Sequence, residues 1–151
     1  MRTLAIKKDL STNEYKALLV CLAKIATSFT FVIRPEIKSG PRIKSLIERL
    51  NDFLIAEQEV DQWPGTQLFG RTAKLFKFKL TEQSKEILLV SSKGLFDWIQ
   101  PELPEDLSFL YQDDQNCLTN IAHEKDAWLS LNSDEYNLVL KEFSELIIRN
   151  N

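Results

Sequence analysis

The one histidine of this chain, His123, is followed by Glu124, a pair that on a helix can begin a zinc-protease motif. That chemistry needs a second His four residues after the first, so that both imidazoles share a helix face. Position 127 is Ala127. With Cys21, Cys117 and scattered acids as the other candidates, no closed set of metal ligands assembles from sequence neighbours. Neither a metal nor any other cofactor is expected, and His123 reads as a turn residue hydrogen-bonding a nearby strand. A cysteine nucleophile needs a base within hydrogen-bond reach. Cys117 and His123 are separated by about 20 Å if the chain between them is extended at roughly 3.4 Å per residue. Cys21 borders an apolar helix stripe, where a thiol packs as a small hydrophobe. No catalytic residue is assigned.

Adjacent carboxylates offer a second chemistry. They lie in the segment Trp98-Ile99-Gln100-Pro101-Glu102-Leu103-Pro104-Glu105-Asp106-Leu107. Its two prolines predict extended chain with outward side chains, delivering Glu105 and Asp106 to the start of a strand. Paired carboxylates perform acid–base work when burial or repulsion splits their pKa values. Neighbours on a regular strand point to opposite faces, so the two should not share a proton, and an acidic turn is the favoured reading. Together with the residues up to Glu124, the segment resembles a family of small uncharacterised bacterial proteins that share the pattern W-x-x-P-x-L-P-E-D-L-x-F, a short hairpin and a His-Glu pair. Here it is carried by Trp98, Pro101, Leu103, Pro104, Glu105, Asp106, Leu107, Phe109 and His123-Glu124. The family's hairpin turn would be expected to hold Gly; this chain has Asp113-Asp114-Gln115-Asn116. The resemblance covers residues 98–124 and implies no activity.

Charge is unevenly spread. The net charge of −3 comprises +6 over residues 1–50, −1 over 51–100 and −8 over 101–151. Between Lys93 and Lys125 no Lys or Arg interrupts Asp97, Glu102, Glu105, Asp106, Asp113, Asp114 and Glu124. Such a block reads as an interaction surface for a basic protein or as the counterpart of the basic first third. Lys74, Lys77 and Lys79, interleaved with Phe76 and Phe78, suggest a nucleic-acid platform. A platform, however, sets aromatics and bases on one exposed face. Strict alternation puts Phe76 and Phe78 on the face opposite Lys77 and Lys79, so nucleic acid is not the expected partner, and an isoelectric point near 5.3 agrees.

Elements must position these residues. Tyr15, Leu18, Leu19, Leu22, Ile25 and Ala26 trace one helical stripe behind Ser11 or Thr12 and Glu14. Ile43, Leu46, Ile47, Leu50, Phe53 and Leu54 trace a second behind Pro41. Tyr136, Val139, Leu140, Phe143, Leu146 and Ile147 trace a third behind Asn132 and Glu135. Thr81 predicts a helix from 82 to about 92, although the run Ile87-Leu88-Leu89-Val90 also suits a strand. Strands are expected at 27–33 and 71–80, then as a meander at 107–111, 117–121 and 127–131.

The length suits one domain, and no run approaches the roughly 20 apolar residues of a membrane span. The N-terminal apolar stretch is too short for a signal peptide, and two cysteines in apolar surroundings suit a reducing compartment, so a cytoplasmic place is expected. The fold expected is a single α+β domain over residues 1–151, an antiparallel or mixed sheet of four to six strands with three to four helices mainly on one face. The function expected is a non-catalytic protein-binding module, immunity- or antitoxin-like, whose acidic surface holds a basic protein. Its candidate binding residues are Trp98, Glu102, Glu105, Asp106, Asp113, Asp114, His123 and Glu124. The alternative is an enzyme or small-ligand protein with a pocket near Trp98, Asp106, His123 and Glu124.

Overall fold

The computed structural model describes residues 1–143 and 148–149. In chain order the elements are β1 (Arg2–Ile6), α1 (Thr12–Leu22), β2 (Ser28–Ile33), α2 (Pro41–Leu50), β3 (Leu54–Val60), β4 (Gln62–Trp63), β5 (Thr66–Gln67), β6 (Ala73–Lys79), α3 (Glu82–Ser91), β7 (Glu105–Leu110), β8 (Asn116–Ile121), β9 (Asp126–Leu131), α4 (Ser133–Phe143) and β10 (Ile148–Arg149). Helix caps decide several boundaries. The Ser11 hydroxyl accepts from Glu14 N–H, while the Glu14 carboxylate accepts from Ser11 N–H at 2.8 Å. Asn132 and Glu135 exchange the same two bonds at 2.9 Å each. Thr81 and Ser84 do so before α3, which resolves residues 82–91 as helix. These caps satisfy amides that an isolated first turn leaves unpaired.

The main sheet is antiparallel throughout, in the order β10-β1-β9-β8-β7-β2-β6-β3, and β4 and β5 form a separate hairpin. The expectation of four to six strands is therefore too small: seven strands of five to seven residues and the two-residue β10 make one sheet. The expected strands and the meander of β7, β8 and β9 are present; β1, β3 and β10 account for the difference. Phe53 and Leu54, expected in a helical stripe, instead lie in a 3₁₀ turn and at the start of β3. Leu146 and Ile147 lie outside the described residues.

All four helices pack on one face. Tyr15, Leu19 and Leu22 of α1, Leu46 and Leu50 of α2, Leu88 of α3, and Val139 and Phe143 of α4 share one cluster with Phe29, Phe31, Phe76, Phe78 and Phe109 from the sheet. The phenylalanines meet across strands, Phe29 on Phe78 at 5.3 Å and Phe31 on Phe78 at 5.1 Å between ring centres. Such pairs each contribute about 0.5–1.5 kcal/mol beyond burial. On the opposite face a smaller cluster of Val32, Trp63, Leu68 and Ala73 sits beneath the β4–β5 hairpin. Gly65 turns that hairpin at φ +90, with its backbone so close to Ile121 that a Cβ there would meet the isoleucine at 2.3 Å.

Candidate functional site

Trp98 is not at a surface. The segment after it does not run extended: Leu103 N–H bonds Ile99 O at 3.1 Å, and Gln100, Leu103 and Pro104 are buried. The backbone therefore folds into a turn that carries Trp98 into the core, fully buried, where its indole N–H donates to the Tyr15 hydroxyl at 3.1 Å. Tyr15 in turn donates to Leu88 O, so one chain of bonds ties α1, α3 and the Trp98 turn together. Gln100 ties the same turn to the chain after β2, accepting from Arg34 N–H at 2.7 Å and donating to the Arg34 and Ile37 carbonyls.

Glu105 and Asp106 begin β7, and regular alternation fails there. Val32 pairs with Glu105 whereas Thr30 pairs with Ser108, so two residues of β7 oppose one of β2. Asp106 adopts the left-handed conformation, φ 62. A bulge of this kind re-aims the side chains around it, and it sends both carboxylates toward the hairpin end of the sheet. Asp106 is satisfied on each oxygen: Trp63 Nε1–H donates to Oδ2 at 2.8 Å, and Ala122 N–H donates to Oδ1 at 2.9 Å. Glu105 is buried too, but Oε2 has no hydrogen-bond partner. Its nearest cation, Arg34 Nε, stands 3.8 Å away and bonds Glu36 at 3.0 Å instead. Burial pushes both carboxyls above their ordinary range; Arg34 opposes this for Glu105, and the Trp63 and Ala122 bonds oppose it for Asp106. The Asp106 charge adds a further upward push on Glu105. Asp106 thus clamps the hairpin, the turn after β8 and the start of β7.

The remaining candidates are dispersed. His123 and Glu124 occupy an exposed 3₁₀ turn after β8, the imidazole Nε2 3.9 Å from the Glu124 carboxylate. Asp113 and Asp114 form the turn at the other end of that strand, where Asp114 meets Lys77 of β6. Glu102 is exposed beside Arg42 at 3.8 Å. It borders a cleft of about 760 Å³ that is also lined by Lys16, Arg42, Val90, Lys93 and Ile99. The structure places the candidate binding residues in different surroundings. Trp98, Glu105 and Asp106 face the interior, because a turn and a bulge redirect them, and the exposed acids of the 97–124 block divide among separate parts of the molecule. For the pocket alternative, Asp106 N–H does bond Trp98 O and its carboxylate does reach Ala122 beside His123. The Trp98 indole, however, points away into the helix-side core.

The cysteines are buried in the core, with burial pushing Cys21 up to about 11 and Cys117 up to about 12. Both are protonated at neutral pH, the form that does not act as a nucleophile. Among the described residues no three His, Cys, Asp or Glu side chains are grouped to hold a metal ion, and no helix is long and apolar enough to cross a membrane. Phe76 and Phe78 lie inward and Lys77 and Lys79 on the other face, so β6 presents no aromatic platform.

A further group of acids lies along and beside β3. This strand ends the sheet and is exposed or half-buried at every position. Asp52, Glu57, Glu59 and Asp61 mark it and its flanks, and from Arg49 to Arg71 the sequence holds no other Lys or Arg. That base-free run is the signal in the sequence that locates the surface. A charge sum over residues 51–100 averages it with the lysines of β6. The chain matches no family model, and no curated protein or solved structure is significantly similar to it.

Proposed function

We propose that this chain is a non-catalytic protein-binding module of the bacterial cytoplasm, in an immunity- or antitoxin-like role, that holds a basic protein on an acidic surface. The observation that supports this reading is the exposed β3 edge, with Glu57 and Glu59 in the strand, Asp52 and Asp61 at its flanks, and no Lys or Arg in the sequence between Arg49 and Arg71. An acidic strip of this kind steers a basic partner, accelerating association most at low salt. Of the acid pair that chemistry would need, Asp106 already accepts two hydrogen bonds in a structural role. The test is affinity capture from the native host with the wild-type chain and with Asp52→Lys/Glu59→Lys/Asp61→Lys. The wild type should retain a basic protein that salt releases, and the variant should lose it while melting at the same temperature. Equal capture by both overturns the reading.

A further inference from the structure

Backbone amides and carbonyls along a sheet edge are unpaired on one side, a template for an added strand. The β3 edge is long and accessible, with Leu54 38% and Ile55 53% exposed. Its only irregularity lies between Leu54 and Ala56; from Ala56 to Val60 the pairing with β6 is regular. Register assigns the two sides of this stretch. Glu57 and Glu59 stand opposite Phe76 and Lys74, on the helix side, whereas Ala56, Gln58 and Val60 stand opposite Lys77, Leu75 and Ala73. Lys74 Nζ reaches Glu57 at 3.0 Å. Among the described residues Asp52, Glu59 and Asp61 form no ion pair.

This pattern discriminates between occupants. A second copy of the chain pairing edge to edge would bring one acidic strip against another, and like charges facing across strands are destabilising. A strand with Lys or Arg at alternate positions would set its cations beside Glu57 and Glu59. Its intervening small or apolar residues would cover Ala56 and Val60. Backbone hydrogen bonds would supply affinity and the alternate side chains selectivity. We propose that β3 receives an extended basic segment of a partner protein as an added strand. This deepens the protein-binding reading and rests on it.

The probe is a capped nine-residue peptide of alternating Lys and Thr, compared with the same peptide N-methylated at alternate backbone amides. N-methylation keeps the charge and removes strand hydrogen bonds. Amide hydrogen exchange is followed along residues 54–60 at low salt. The unmodified peptide should slow exchange there by about tenfold or more at saturation, as added strand pairing raises the local opening free energy. The methylated peptide should not, and Glu57→Lys/Glu59→Lys should weaken the protection. Equal binding of both peptides without protection of β3 overturns strand addition yet leaves the broader protein-binding reading, which the host capture tests by itself. Failure of the unmodified peptide to bind also overturns strand addition. So does protection that grows with the concentration of the chain alone, which assigns the edge to a second copy.

Discussion

Asp106 holds a backbone conformation that costs most L-residues roughly 1–2 kcal/mol and that Asp and Asn tolerate best. Its side chain also answers two buried donors. Replacing it by Ala combines both losses, each unanswered buried donor costing about 1–3 kcal/mol. Urea denaturation should show Asp106→Ala destabilised by at least about 2 kcal/mol. Asp106→Asn, which keeps the conformation and one acceptor, should lose less than half of that. Near-equal losses would mean that the clamp is not what stabilises this corner. Glu105 behaves differently. Its carboxyl titrates above its ordinary value near 4.5 in the folded chain, so between that value and its folded pKa the native state binds more protons than the unfolded one. Stability from this group is therefore present at acid pH and lost as pH rises through that window. Glu105→Gln should gain on the wild type as pH increases from 4.5 toward neutrality. A variant that instead falls behind at neutral pH would show that the Arg34 contact, not burial, governs this carboxylate.

Elements with their own local signals were legible from sequence: caps at Ser11, Thr81 and Asn132, and the alternating run that became β6. Others carry no such signal. β3 reads Leu-Ile-Ala-Glu-Gln-Glu-Val, without apolar alternation, because an edge strand buries little on either side. β1 is buried at Leu4, Ala5 and Ile6 together, so it shows no period of two. The bulge at Asp106 is set by pairing with β2, distant in the chain, and Asp at that position is compatible with several turns. It is this bulge that put both carboxylates near the hairpin. The hairpin itself has one intolerant point. Gly65→Ala should cost about 1–2 kcal/mol from the positive φ alone, and Ile121→Val in the same chain should recover only part of the loss, because the backbone strain remains. Full recovery would place the whole cost in the contact with Ile121. Trp63 fluorescence reports whether the hairpin has lifted from the sheet.

Taken whole, the molecule has one principal core reached by all four helices and by strands from both halves of the chain. No large part of it can melt while the rest stays packed. Helical circular dichroism and tryptophan fluorescence should therefore give coincident denaturation curves, as two-state unfolding requires. Separate midpoints would reveal a subdomain that the packing does not predict. Phe31 belongs to the centre of this core, and Phe31→Ala should cost about 3–5 kcal/mol, with the core-wide cooperativity carrying the loss to every probe.

The order of strands also sets a schedule for synthesis. β1 pairs with β9, Leu4 opposite Leu129, so β1 is made well before its longest neighbour in the sheet. While a ribosome is still extending the chain through β2, β3 and β6, those strands can already pair and helices α1 to α3 can cover them. β1 meanwhile waits with Leu4 and Ile6 unsheltered until residues 126–131 have left the exit tunnel. During translation, the vulnerable segment is thus one that leaves the ribosome long before its partner.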